Sequence, residues 1–276
     1  MPAFFLPRTC PPASRPVTAL LIVLLLCSNL LALADWESFK SAPVRAADSK
    51  TIRGFVSIPE GNGPFAAIII AHGCFGVEQN QFEWAQRLNA WGYVTVVVDS
   101  FSSRKVKSVC SDPELVSAET RAFDVFGAAA YLRNQAFVNP QKIGLIGFSH
   151  GGWTVLCATQ KKFPKNAQED PLQAAVAYYP WCPGFGLKET STPLLVLMGK
   201  EDNWTPLDRC ESLQAGQGEE FENNMRLIAY DNAYHGFDDS SKKPGIEFDG
   251  HTIAFDSESA ANSIFDTRKF LDLHLQ

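Results

Sequence analysis

Ser149 stands in Gly147-Phe148-Ser149-His150-Gly151, with Gly152 following. A serine between two such glycines suits acyl transfer. A strand turning sharply into a helix lifts the hydroxyl clear of the sheet, and the flanking glycines remove side chains that would collide in the turn. The helix N-terminus behind it favours the negative charge that develops during such chemistry. A serine nucleophile also needs a base and an acid. Downstream, Asp202 lies in Gly199-Lys200-Glu201-Asp202 and His235 in Tyr234-His235-Gly236-Phe237. The order serine, acid, histidine lets His235 take and return the proton while Asp202 holds its tautomer. Glu201 and Asp231 are the rival acids. His251 and His274 read as surface or capping residues. His72-Gly73-Cys74-Phe75-Gly76 suits an oxyanion loop, with the Cys74 and His150 amides as donors; a tight turn without a ligand is the plainer alternative.

These residues need a scaffold that brings them together. Apolar, β-branched runs fall at 52–58, 66–71, 93–98, 142–147, 174–179, 194–198 and 225–230. Helical periodicity falls at 81–91, 114–134, 150–161, 206–214 and 257–274. Several of the runs are apolar almost throughout, as in strands buried on both faces of a parallel sheet. Strands alternating with helices imply a doubly wound α/β fold, in which ligands sit outside the carboxyl ends of the strands. Ser149, Asp202 and His235 each follow such an end.

A net charge of −6 without a lysine- or arginine-rich run gives no basic face for nucleic acid. No metal-ligand spacing, phosphate loop or dinucleotide fingerprint occurs, so no metal or cofactor is expected. Residues 1–34 read as a signal peptide: Arg8 and Arg15, an apolar stretch from Val17 to Leu33, then Ala32-Leu33-Ala34 as a cleavage site. An uncleaved membrane anchor is the rival reading. Cleavage leaves one domain, residues 35–276, in the periplasm or outside the cell, as a monomer or weak oligomer. Five cysteines then remain. The topology puts Cys74 near Cys110 and Cys182 near Cys210, with Cys157 unpaired in the helix after Ser149. The alternative is that all five are reduced and simply packed, since spacing alone does not define pairing.

Ala71-His72-Gly73-Cys74-Phe75-Gly76-Val77, Val98-Asp99-Ser100-Phe101, Gly147 to Gly152 and His235-Gly236-Phe237 together resemble the dienelactone hydrolase family of α/β-hydrolases, from about residue 50 onward. The resemblance implies the α/β-hydrolase fold and cleavage of carboxylic esters or lactones. The enzymes that name the family carry cysteine where Ser149 stands and a glutamate where this chain has Gly73. They clamp a substrate carboxylate with two arginines. Arg104 lies near one of those positions and Asp239 near the other, so a serine esterase or lactonase fits better than dienelactone cleavage itself. Phe75, Arg104, Trp181 and Trp204 are the expected substrate contacts. Phe101, Phe148 and Phe237 also fall in the rim segments, and about half of the six aromatic residues there are expected in the core. A serine peptidase of related fold and a non-catalytic small-molecule binding protein are the alternatives.

Overall fold

The computed structural model describes residues 34–42, 49–160, 171–183, 190, 192–215 and 224–276. The expected leader lies outside them except for Ala34. Eight strands form one sheet in the order β1-β2-β4-β3-β5-β6-β7-β8. They are β1 (Ala34–Lys40), β2 (Thr51–Ser57), β3 (Phe65–Ala71), β4 (Val94–Asp99), β5 (Val138–Phe148), β6 (Ala174–Tyr178), β7 (Leu194–Gly199) and β8 (Met225–Tyr230). β2 runs antiparallel to both β1 and β4; from β4 across to β8 the pairs are parallel. The helices are α1 (Gln79–Ala90), α2 (Ala118–Arg133), α3 (His150–Ala158), α4 (Leu207–Ala215) and α5 (Ser257–Leu275).

Every residue of β4, β6 and β7 is buried, which is why these strands read as unbroken apolar runs. The edges β1 and β8 keep exposed or partly exposed positions. Side chains of β5 point alternately to the two faces. A β-carbon at Gly144 would meet Leu275 of α5, and one at Gly147 would meet Val155 of α3. These positions are an odd number of residues apart, so α3 and α5 cover opposite faces. Arg268 of α5 lies over the Trp91 ring at the end of α1, and the Tyr93 hydroxyl donates to Asp272, which ties α1 to α5.

β1 was not among the expected strands. It packs Phe39 on Tyr131 of α2 with stacked rings 5.3 Å apart, and the chain then crosses α2 at Gly127. A β-carbon there would lie 2.2 Å from the Lys40 carbonyl oxygen and 2.7 Å from the Ser41 Cα. Both are backbone atoms, and the Ala42 amide is bonded to the Phe123 carbonyl beside them. A second feature absent from the expectations is the hairpin β9 (Ile246–Phe248) with β10 (His251–Ile253). It is tethered to the loop after β8 by the Ala254 amide donating to the His235 carbonyl.

Gly127→Ala should therefore lower stability by about 3 kcal/mol, the cost of overpacking where backbone cannot yield. Urea unfolding of the variant beside the parent measures it, and an unchanged midpoint would refute the crossing constraint.

Candidate active site

Ser149 closes β5 and precedes α3, with φ 56° and ψ −116°. For a residue with a β-carbon this is strained, costing about 1–3 kcal/mol. Backbone approaches that only glycine permits hold it there. A β-carbon at Gly147 would lie 2.2 Å from the Gly151 carbonyl oxygen, and one at Gly151 would lie 2.2 Å from that of Ala71. The Ser149 amide donates to the Tyr178 carbonyl at 2.9 Å, anchoring the turn to β6.

The loops after β7 and β8 bring in the other two residues. His235 Nε2 lies 2.9 Å from Ser149 Oγ, and its Nδ1 lies 2.8 Å from Asp202 Oδ2. An ionised carboxylate can only accept, so Nδ1 carries the proton and Nε2 faces the serine hydroxyl as acceptor. Asp202 is fixed by more than the histidine. Its Oδ1 accepts from the Trp204 and Thr205 amides at 2.9 and 2.8 Å, and its Oδ2 from the Thr205 hydroxyl at 2.8 Å. Burial pushes the Asp202 carboxyl up, but His235 and the Thr205 bonds outweigh it and leave it below the ordinary value. Glu201 and Asp231 take no part; Asp231 pairs with Lys200 at the surface.

His235 is 4% exposed and its imidazole touches two rings, Tyr179 at 4.7 Å and Trp204 at 4.9 Å. Tyr179 in turn donates its hydroxyl to Asp238 Oδ1 at 2.5 Å, while Asp238 Oδ2 accepts from Trp84 and Asn80. Trp204 is backed by Phe248 of the hairpin, stacked at 5.4 Å, and by His251, whose ring lies within 2° of parallel at 5.2 Å. His251, expected to be a surface or capping residue, thus backs the tryptophan that lies against His235.

The loop after β3 is held from below by a buried arginine. Arg121 of α2 is 1% exposed and donates to the His72 carbonyl and to His150 Nδ1, both at 2.6 Å. The guanidinium can only donate, so His150 Nδ1 is the acceptor and its Nε2–H donates to the Pro113 carbonyl. One side chain therefore positions both segments expected to supply oxyanion amides, and Cys74 and His150 line the larger cleft together with Ser149. Burial lowers the Arg121 pKa to about 9, Asp124 offsetting only part of the effect. Burial and the nearby Arg121 charge bring His150 to about 3 and His72 well below its ordinary value.

The cysteines pair as the topology implied. Cys74 is bonded to Cys110 and Cys182 to Cys210, while Cys157 is free and buried, its thiol pushed up to about 12 by that burial.

Two clefts meet at Ser149, sharing Cys74 and Trp204 as walls. The smaller, about 420 Å³ including its mouth, carries Glu78, Gln81, His235, Asp239 and Lys242. The larger, about 740 Å³ including its mouth, is walled by Val109, Pro113, Trp153, Trp181 and the Cys74–Cys110 bridge. Among the described residues no cluster of histidine, cysteine and acidic side chains could hold a metal ion, and no helix is long and apolar enough to cross a membrane.

This geometry and the sequence both match a known family, whose model, described as "Dienelactone hydrolase family", covers residues 52–275. The chain belongs to the dienelactone hydrolase family. A putative carboxymethylenebutenolidase from Synechocystis is 23% identical over 214 residues, 67% of this chain and 81% of the relative. A bis(hydroxyethyl) terephthalate hydrolase from Streptomyces coelicolor is 27% identical over 151 residues, 53% of this chain and 43% of its own. A dienelactone hydrolase-like promiscuous phosphotriesterase from metagenomic libraries superposes with a TM-score of 0.67 at 18% identity, over 89% of this chain and 100% of its own.

Within this dienelactone hydrolase family member, the expected substrate residues divide. Phe75, Trp181 and Trp204 line the clefts. Arg104 lines neither. Its guanidinium forks onto Asp124 at 2.8 and 2.9 Å and donates to the Ser100 carbonyl, because a buried carboxylate must be paired. Asp239 reaches the smaller cleft but caps the turn at Ser241. Of the six rim aromatics, Phe101 and Phe237 are core; Phe148 is buried with one edge on the smaller cleft. Thr205, Tyr179, Asp238, Arg121 and Trp153 were not singled out from sequence. Arg121 had a visible signal: with Asp124 it is one of two charges in the largely apolar helical run 121–132.

His72 and His150 stay neutral in the folded protein, whereas the unfolded chain protonates them below about pH 6.5. The stability they allow is complete above that pH and drains away as pH falls toward about 3. Each ring contributes a slope of up to about 1.4 kcal/mol per pH unit. Denaturant unfolding at pH 7.0, 6.0 and 5.0 should show the decline, and His150→Gln should about halve its slope, His72 supplying the rest; a level profile in the parent would contradict the neutral-ring assignment.

Proposed function

We propose that this dienelactone hydrolase family member cleaves carboxylic esters or lactones through an acyl-enzyme on Ser149. The observation that carries the reading is the unbroken chain from Ser149 Oγ through His235 to Asp202, at 2.9 and 2.8 Å. Ser149 Oγ bonds to the substrate carbonyl carbon while its proton passes to His235 Nε2. The carbonyl oxygen takes the electron pair and is met by the Cys74 and His150 amides, the latter in the first turn of α3 where helical amides lack an internal partner. As the bond to the leaving alcohol breaks, His235 gives that proton to the departing oxygen. Water repeats the sequence, losing a proton to His235, and the acid leaves as Ser149 regains its hydrogen.

The similarity to a putative carboxymethylenebutenolidase of Synechocystis and a bis(hydroxyethyl) terephthalate hydrolase of Streptomyces coelicolor supports the same bond class. The serine in place of cysteine and the withdrawal of Arg104 into its pair with Asp124 speak for uncharged esters over a carboxylate-bearing lactone. The two disulfides suit an oxidising compartment, in keeping with export and loss of residues 1–34.

A fluorophosphonate should label the protein on Ser149, and short p-nitrophenyl esters should be turned over. Ser149→Ala should abolish labelling and cut kcat/KM by at least about 10⁴-fold; a labelled or active variant would place the nucleophile elsewhere. Because Cys74 presents an oxyanion amide and is itself bridged to Cys110, Cys110→Ser should lower kcat about ten-fold with KM little changed. Equal kcat in parent and variant would show that the bridge does not position that amide.

A further inference from the structure

Acyl transfer fixes which cleft holds which half of an ester. The departing oxygen receives its proton from His235 Nε2, so it must lie within about 3 Å of that nitrogen. His235 and Gly236 are walls of the smaller cleft and not of the larger. The alcohol therefore leaves through the smaller cleft, and the acyl group occupies the larger.

The two differ in chemistry. The larger cleft is walled by three tryptophans, Trp153, Trp181 and Trp204. Trp181 is held by the Arg209 guanidinium, 4.1 Å above its ring, and its neighbour Cys182 is bridged to Cys210. Rings fixed in this way favour a flat, apolar guest. The smaller cleft also has apolar walls, Phe75, Phe148 and Ile253, but unlike the larger it carries charged and amide side chains. Lys242 Nζ stands 3.1 Å from Glu78 and 3.6 Å from Asp239, so two carboxylates surround one ammonium and a further anion is unwelcome. Asn80 is committed to Asp238. Gln81 is not fully committed. It is 3% exposed, and its Oε1 accepts from the Glu78 amide at 2.8 Å, which fixes the orientation of the side chain. Its Nε2 has no acceptor among the described residues, although it lines the cleft. An amide donor held in one orientation at the cleft and not engaged by the protein is free to meet a substrate oxygen.

We propose that the enzyme selects esters joining an aromatic acid to a small, uncharged, hydroxyl-bearing alcohol, with Trp181 selecting the acid and Gln81 the alcohol. The proposal rests on the acyl-enzyme reading above and adds the direction in which the substrate lies.

The test is a matched set on the full protein: 2-hydroxyethyl benzoate, propyl benzoate, 2-hydroxyethyl acetate and O-benzoylglycolate. The parent should favour the first over the second and third by about five- to ten-fold in kcat/KM, the value of one hydrogen bond or one ring contact. O-benzoylglycolate should be the poorest benzoate. Gln81→Glu keeps the acceptor for the Glu78 amide and loses the donor. It should erase the hydroxyethyl-over-propyl ratio and leave the benzoyl-over-acetyl ratio intact. Trp181→Ala should do the reverse. Fluorophosphonate labelling of each variant separates altered preference from a damaged fold. A parent that prefers the propyl ester, or variants that shift the opposite ratio, would overturn the assignment. Turnover with ratios that neither variant moves would also overturn it, while leaving the hydrolase reading standing. No turnover together with no labelling of Ser149 would remove the hydrolase reading itself.

Discussion

The backbone at Ser149 is held in a conformation that a residue with a side chain rarely adopts, and much of the molecule is arranged to keep it there. Gly147 and Gly151 let carbonyl oxygens approach where any β-carbon would collide, and the Ser149 amide is bonded across to β6. Such strain persists only when the surroundings over-determine it. Here those surroundings are the fully buried central strands, packed from opposite faces by α3 and α5. The sheet is in that sense a clamp on one residue.

Around the elbow, polar groups are buried in linked sets. Asp202 spends its oxygens on Thr205, Trp204 and His235. Asp238 spends its own on Tyr179, Trp84 and Asn80. Arg121 holds the β3 loop and the start of α3 at once. Each set is costly to bury and becomes tolerable as its members are paired, the buried Arg121 Nε being the member that finds no partner among the described residues. The reward is positional: His235 cannot rotate without disturbing Tyr179 or Trp204.

The parallel strands, the elbow, the order of Ser149, Asp202 and His235 and both disulfide pairs were legible in the sequence, because each rests on a short-range pattern or on the position of a loop along the chain. β1 was not, since it draws its order from Phe39 meeting Tyr131 and from the space at Gly127, contacts between residues far apart in sequence. Arg104 misled for a related reason. An arginine near a rim is a natural ligand for a substrate anion, but only the fold shows that Asp124 stands closer. The hairpin and the role of His251 depend on Trp204 presenting a ring face, which no local pattern announces.

The cysteine connectivity has a consequence for how the chain is made. The two bridges are sequential and do not interleave: Cys74 with Cys110, then Cys182 with Cys210. In the oxidising compartment that the proposed export and loss of the leader would supply, joining each remaining cysteine to the next available one gives the first bridge correctly. It then offers Cys157 to Cys182, which is wrong. The native pairing thus requires α3 to have packed and withdrawn Cys157 before Cys182 arrives, or an isomerase to repair the error afterwards. In the folded protein, the helix that follows Ser149 keeps the Cys157 thiol buried and poorly ionised, and so out of exchange with either bridge.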